Sequence, residues 1–84
     1  MAKTNYSPTF PMYPGSAEAV TPSNTVNLSS PSVIYVGGGG AVKVTTAQGD
    51  EVTFSGVSAG TVIPVQVLRV WSTGTTATNM VRIY

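Results

Sequence analysis

The sequence predicts an all-β chain, a small antiparallel β-sandwich or barrel of five to six strands preceded by an extended Pro-rich N-terminal arm. Three observations carry that expectation. From Ser32 onward, β-branched and aromatic residues alternate with small polar ones at period two, the pattern of half-buried strands. Turn-forming Gly, Asp and Ser residues break these runs at short intervals, as closely spaced antiparallel strands require. Five of the six prolines (Pro8, Pro11, Pro14, Pro22 and Pro31) precede the alternation. Their fixed φ angles keep the chain extended and leave room for helix only as a single turn within residues 16–20. The chain therefore divides into an arm, residues 1–31, and a β-domain, residues 32–84.

Taken in order, residues 32–36 form the first strand, and Gly37-Gly38-Gly39-Gly40 ends it. A Walker phosphate loop requires Lys-Ser/Thr after its last glycine and a helix to receive the phosphate. Here Ala41-Val42 opens another strand, so the four glycines read as a flexible connection with positive-φ positions. Residues 41–46 alternate, with Val42, Val44 and Thr46 on one face and Ala41, Lys43 and Thr45 on the other. Gln48-Gly49-Asp50 is a hairpin turn, after which Val52 and Phe54 point inward. Val57-Ser58-Ala59-Gly60 turns the chain again.

Residues 62–71 make the strongest strand. Ile63, Val65 and Val67 face one side, and Pro64, Gln66, Leu68 and Val70 the other. Apolar groups on both sides mean either two-sided burial or a bulge that shifts the phase. Pro64 has no N–H to give a ladder, which sets the start of this strand at an edge or bulge. Beyond Ser72-Thr73-Gly74, a last strand opposes Asn79, Val81 and Ile83 to Met80, Arg82 and Tyr84.

Composition narrows the function. Among 84 residues, four Lys+Arg stand against three Asp+Glu, and charged residues make up 8%. An ordinary domain carries about 25%. The absence of His and Cys removes disulfides, thiol and imidazole catalysis, and metal sites built on those ligands, so neither cofactor nor metal is expected. Clustered Lys/Arg for nucleic acid are missing, and the apolar stretch 62–68 is too short to span a bilayer. No targeting segment is evident, and folding in a cytoplasm is the simplest expectation. Mean hydropathy is +0.20, which suits burial rather than a solvated coil. A core this small holds only a few kcal/mol of net stability. A homo-oligomer is therefore expected, with neighbours covering a charge-poor surface.

Candidate chemistry is sparse. Asp50-Glu51, the one acidic pair, points to opposite sides of a strand and suits neither calcium nor glycosidic chemistry. Thr73, Thr75, Thr76 and Thr78 offer hydroxyls with no base to activate them, so the chain is not expected to be an enzyme. Lys43, Arg69 and Arg82, on three strands, either converge on an anionic partner or keep exposed faces soluble, and the second is the expectation. Trp71 serves core or interface, or else stacks on a sugar or base. In the arm, Tyr6, Phe10, Met12 and Tyr13 belong either to a solvated leader or to an extended segment gripping a neighbouring subunit.

A family resemblance rests on Tyr35-Val36-Gly37-Gly38, Val42-Lys43-Val44-Thr45-Thr46, Val52-Thr53-Phe54, Ile63-Pro64-Val65-Gln66-Val67-Leu68-Arg69-Val70-Trp71 and Thr73-Gly74-Thr75-Thr76-Ala77-Thr78, with a final Tyr84. In that order these segments resemble the spike base proteins of gene transfer agents and related tailed phages. The resemblance spans residues 32–84. It implies a non-enzymatic virion structural protein, a capsid decoration or spike-base subunit, assembled in the host cytoplasm. It implies the major capsid protein and a spike fibre protein as partners. On that reading Tyr6, Phe10, Met12 and Tyr13 anchor to the shell, and Val65, Val67, Arg69, Trp71 and Tyr84 make subunit contacts. The alternatives are a carbohydrate- or host-surface-binding adhesion module built on Trp71, Tyr35 or Tyr84, or a tail-side structural subunit.

Overall fold

The computed structural model describes residues 14–84; Tyr6, Phe10, Met12 and Tyr13 lie outside the described residues. Six strands follow one another: β1 (Ala17–Ala19), β2 (Ser32–Gly38), β3 (Gly40–Thr46), β4 (Glu51–Val57), β5 (Thr61–Val70) and β6 (Thr78–Ile83). All pair antiparallel in one sheet of order β1-β6-β2-β5-β3-β4. The all-β antiparallel class is what the chain adopts, and the described residues contain no helix. Residues 16–20, the one place where the sequence left room for a helical turn, hold β1 instead, whose three residues pair with β6.

Strands β2 and β3 are one bent strand. Only Gly39 separates them, and both run antiparallel to β5. The bent strand starts at Ser32 and stops at Thr46, and both of these ends pair with Val67 of β5. A flat sheet cannot bring both ends of one strand to the same residue, so the registers require the sheet to curl strongly, with β1 and β4 remaining as its two ends. Inside lie Ile34 and Val36 from β2, Val42 and Val44 from β3, Ile63, Val67 and Val70 from β5, and Met80 from β6. Ala77 completes this single apolar cluster.

The glycine run makes the bend possible. A Cβ on Gly37 would collide with the Asn79 carbonyl oxygen, and one on Gly40 would lie 2.7 Å from the Ala77 nitrogen. The expected flexible connection is thus a close-packed corner, with residues 77–79 lying against it. Of the four glycines only Gly40 has positive φ, at 155°. Threonine hydroxyls continue the ladder beyond the corner. The Ala41 N–H donates to Thr76 Oγ1 and the Lys43 N–H to Thr75 Oγ1, both at 2.9 Å. Thr75 and Thr76 therefore satisfy a strand edge that would otherwise be unpaired.

Of the two readings offered for β5, the bulge is the one observed. Thr45 pairs with Arg69 and Thr46 with Val67, leaving Leu68 as the extra residue and turning both Val67 and Val70 inward. A second register shift lies opposite Pro64, between the Ile34–Ile63 and Ser32–Val67 pairs, where a missing N–H costs nothing. The turn at Gly49 (φ 96°) forms as expected, with the Thr46 N–H donating to the Asp50 carbonyl. Val52 departs from expectation. It pairs with Val44 and shares its face, yet β4 is the outermost strand and overhangs the core, leaving Val52 41% exposed.

Residues 20–30 run back over the sheet. The Val20 N–H donates to the Met80 carbonyl, Ser23 to Val70 and Leu28 to Leu68, and Val20 and Leu28 pack on the core. The glycine corner yields a test by urea unfolding. Gly37→Ala and Gly40→Ala should each cost about 2 kcal/mol or more, because fixed backbone atoms obstruct the new methyl. Gly49→Ala, in open space at positive φ, should cost about 1 kcal/mol. Equal midpoints for all three would refute a packed corner.

Candidate interaction surface

The three strand cations part company. Arg82 was expected to keep an exposed face soluble; instead it is inward-facing like Met80 and only 3% exposed. All five of its N–H donors are used. Nε donates to Ser32 Oγ (2.9 Å), Nη1 to Ser29 Oγ (2.8 Å) and Glu18 Oε1 (3.1 Å), and Nη2 to Ser30 Oγ (2.9 Å) and the Ser30 carbonyl (3.3 Å). The guanidinium also lies 3.7 Å from the centre of the Tyr84 ring. Burial of a charge is costly unless it is paired and hydrogen-bonded, and the Ser29-Ser30-Pro31-Ser32 segment supplies most of the bonds. The sequence carried a signal for this: Arg82 shares the inward phase of Met80, and a charge-free serine run precedes β2.

Lys43 and Arg69 do converge, on Trp71. Their cationic groups lie 4.8 and 4.9 Å from the ring centre, and the indole N–H donates to Thr45 Oγ1 at 2.9 Å. Arg69 is also held by Asn27 Oδ1 and the Asn24 carbonyl, and Lys43 approaches Glu51 at 3.9 Å. Asn24 and Thr73 bond reciprocally beside them. A sugar seeking the part of the ring that these cations cover would have to displace them. This cluster ties the segment at 24–27 to the sheet.

The other sequence-derived contact residues are scattered. Val67 is fully buried and belongs to the chain's own core, so it presents no surface to another chain. Val65 is half-buried against that core. Tyr84 exchanges both backbone hydrogen bonds with Ser16 and covers Arg82.

What sequence reasoning missed is a charge-free outer face. On the side of the sheet away from the core, Ala17, Ile83 and Val33 form one cross-strand row. Ala19, Val81, Tyr35 and Val62 form the next, across β1, β6, β2 and β5. Every residue in these rows is apolar or aromatic, and Tyr35 and Val62 are 37% and 47% exposed. The signal was present in Val33, Tyr35, Val81 and Ile83, which alternate with core residues yet are not polar. Contiguous exposed apolar surface of this kind is commonly where proteins meet another surface.

Among the described residues, no group of three or more His, Cys, Asp or Glu side chains is placed to hold a metal. No protein-family model matches the chain, and no curated protein matches it. Among solved structures, it is similar to a chain of the "Capsid of native GTA particle computed with C5 symmetry", GTA being gene transfer agent. Identity is 35% and the TM-score 0.74, covering 84% of this chain and 83% of that one. The class is that of virion structural proteins. The chain belongs to the family of that gene transfer agent capsid component.

The arginine cage can be tested by unfolding. Arg82→Met would remove five hydrogen bonds and leave Ser30 Oγ without its donor, while Ser32 Oγ keeps its bond to the Ser30 carbonyl (2.8 Å), and should cost about 2 kcal/mol. Glu18→Gln, at a carboxylate side chain 61% exposed, should change stability by less than about 0.5 kcal/mol. An Arg82→Met chain with an unaltered urea midpoint would remove the cage from the account of stability.

Proposed function

We propose that the chain is a non-enzymatic subunit mounted on a phage-like capsid, as a decoration or spike-base protein that oligomerises there. The likeness to a gene transfer agent capsid component over most of both chains carries this reading. The charge-free outer face supports it, because a surface of that kind is stable where other protein covers it. In this reading the subunit contacts its own copies and the major capsid protein, and a spike fibre protein is the part it mounts. Residues 1–13 hold Tyr6, Phe10, Met12 and Tyr13 with a single charge, Lys3, and form the part of the arm that anchors to the shell.

The fold tells how to test this. Removing residues 1–31 would also strip β1 and the bonds from Val20, Ser23 and Leu28, so the informative truncation ends at residue 13. Cosedimentation with capsids lacking this subunit should saturate with the full chain, and the Δ1–13 chain should bind at least about tenfold more weakly, equivalent to about 1.4 kcal/mol. Equal occupancy would sink the anchoring role, and no binding by either chain would sink the capsid reading itself.

A further inference from the structure

Among the described residues, β4 pairs with β3 alone, and Glu51, Val52, Thr53, Ser55 and Gly56 are exposed. The Thr46 N–H donates to the Asp50 carbonyl, which sets the phase of the β3–β4 ladder. Val52 and Phe54 therefore spend their N–H and C=O groups on Val44 and Val42, while Glu51, Thr53 and Ser55 turn theirs outward. No described residue pairs with those outward groups. Sheet edges are ordinarily blunted by Lys, by Pro or by brevity. Residues 51–55 contain neither Lys nor Pro, and Gly56, at φ 65°, ends the regular run only after them.

The run 51–55 complements itself. Turned antiparallel about Thr53, two copies set Thr53 against Thr53, Glu51 against Ser55, and Val52 against Phe54. Glu51 then meets no second carboxylate, and an apolar cross-strand pair forms twice. The outward groups exchange about six backbone hydrogen bonds. Moving the centre by one residue sets Phe54 against Asp50, or Val52 against Gly56, where the positive φ breaks the ladder. The core side gains as well. Val52 shares the face of Val44 yet is 41% exposed, and Phe54 is only half-buried. In the paired arrangement each is covered by the other residue from the second copy.

We propose that β4 pairs with β4 of a second copy about a two-fold axis at Thr53, so that the sheet of one subunit continues into the other. The same edge is used on both copies, so the pairing closes at two and does not propagate. It rests on the proposed self-association and names the edge that makes it. Capsid binding has no part in its test, so its failure leaves the capsid reading standing.

Because the sequence has no cysteine, a single introduced thiol can bridge only to another copy. Thr53 lies on the axis, where the Cα atoms of a hydrogen-bonded pair stand about 5.5 Å apart, within disulfide reach. Full-length Thr53→Cys, mildly oxidised, should form linked dimers at least about tenfold faster than Gln48→Cys, whose thiol sits at the exposed hairpin tip. Glu51→Cys and Ser55→Cys chains should link quickly when mixed and slowly when alone, since like positions lie about 13 Å apart across the axis. In sedimentation equilibrium the unaltered chain should pass from monomer to dimer as concentration rises. Thr53→Lys, which sets two cations face to face, should raise the midpoint of that transition at least about tenfold. A chain that stays monomeric at every concentration would overturn the proposal, and so would equal linking rates for Thr53→Cys and Gln48→Cys. A dimer indifferent to Thr53→Lys would overturn it too, and would assign self-association to the apolar outer face.

Discussion

The fold depends on a bend that only glycine permits. One strand runs from Ser32 to Thr46 and must turn sharply enough for both ends to meet Val67. At the turn, the backbone of residues 77–79 lies against Gly37 and Gly40 too closely for a side chain. Everything else follows from that bend. β6 runs beside the first half of the bent strand, Thr75 and Thr76 cap the start of the second half, and the inward residues of four strands meet in one cluster. Without the corner, Ile34 and Val36 would have no reason to share a core with Val42 and Val44.

The shortage of charge is matched by how the few charges are used. Arg82 is consumed inside, where its five donors tie β6 to β1 and to the serine segment before β2. Lys43 and Arg69 are laid on Trp71, and Arg69 holds the segment at 24–27. A chain with no disulfide thereby gains cross-links between distant segments from hydrogen bonds to charged groups, which are stronger than neutral ones. The outer face of β1, β6, β2 and β5 is left without charge as a result. This apolar face, together with the capsid likeness, gives a physical reason for a partner that composition alone only suggested.

Much of the fold was legible because period-two alternation is a local property. Val42, Val44 and Thr46 are buried as their spacing indicates, and Met80 and Arg82 share a phase. Leu68 was legible as a dilemma: apolar residues on both faces signalled a phase shift, and only the pairing with β3 decided for a bulge. Other features were hidden because they depend on partners distant in sequence. Gly37–Gly40 looks flexible until residues 77–79 are seen against it. Val52 has the pattern of a core residue, but nothing local reveals that its strand lies at the edge. Arg82 looks like a surface cation because the serines that cage it are fifty residues or more away. For the interaction surface, strand phase was readable in Tyr35 and Val62, whereas their alignment into rows required the register.

Among the described residues the sheet ends in two edges, β1 and β4, and they are unequal. β4 offers seven residues, with Gly56 at φ 65° interrupting its run, whereas β1 offers three. An exposed edge is a template on which another chain can add a strand, and equal edges at opposite ends would let copies join indefinitely. Here the longer edge of one copy finds only a three-residue counterpart on the next. Backbone pairing of β4 with a second copy's β1 would thus be limited to three residues, so the side-chain surfaces of the sheet offer the larger area for contact.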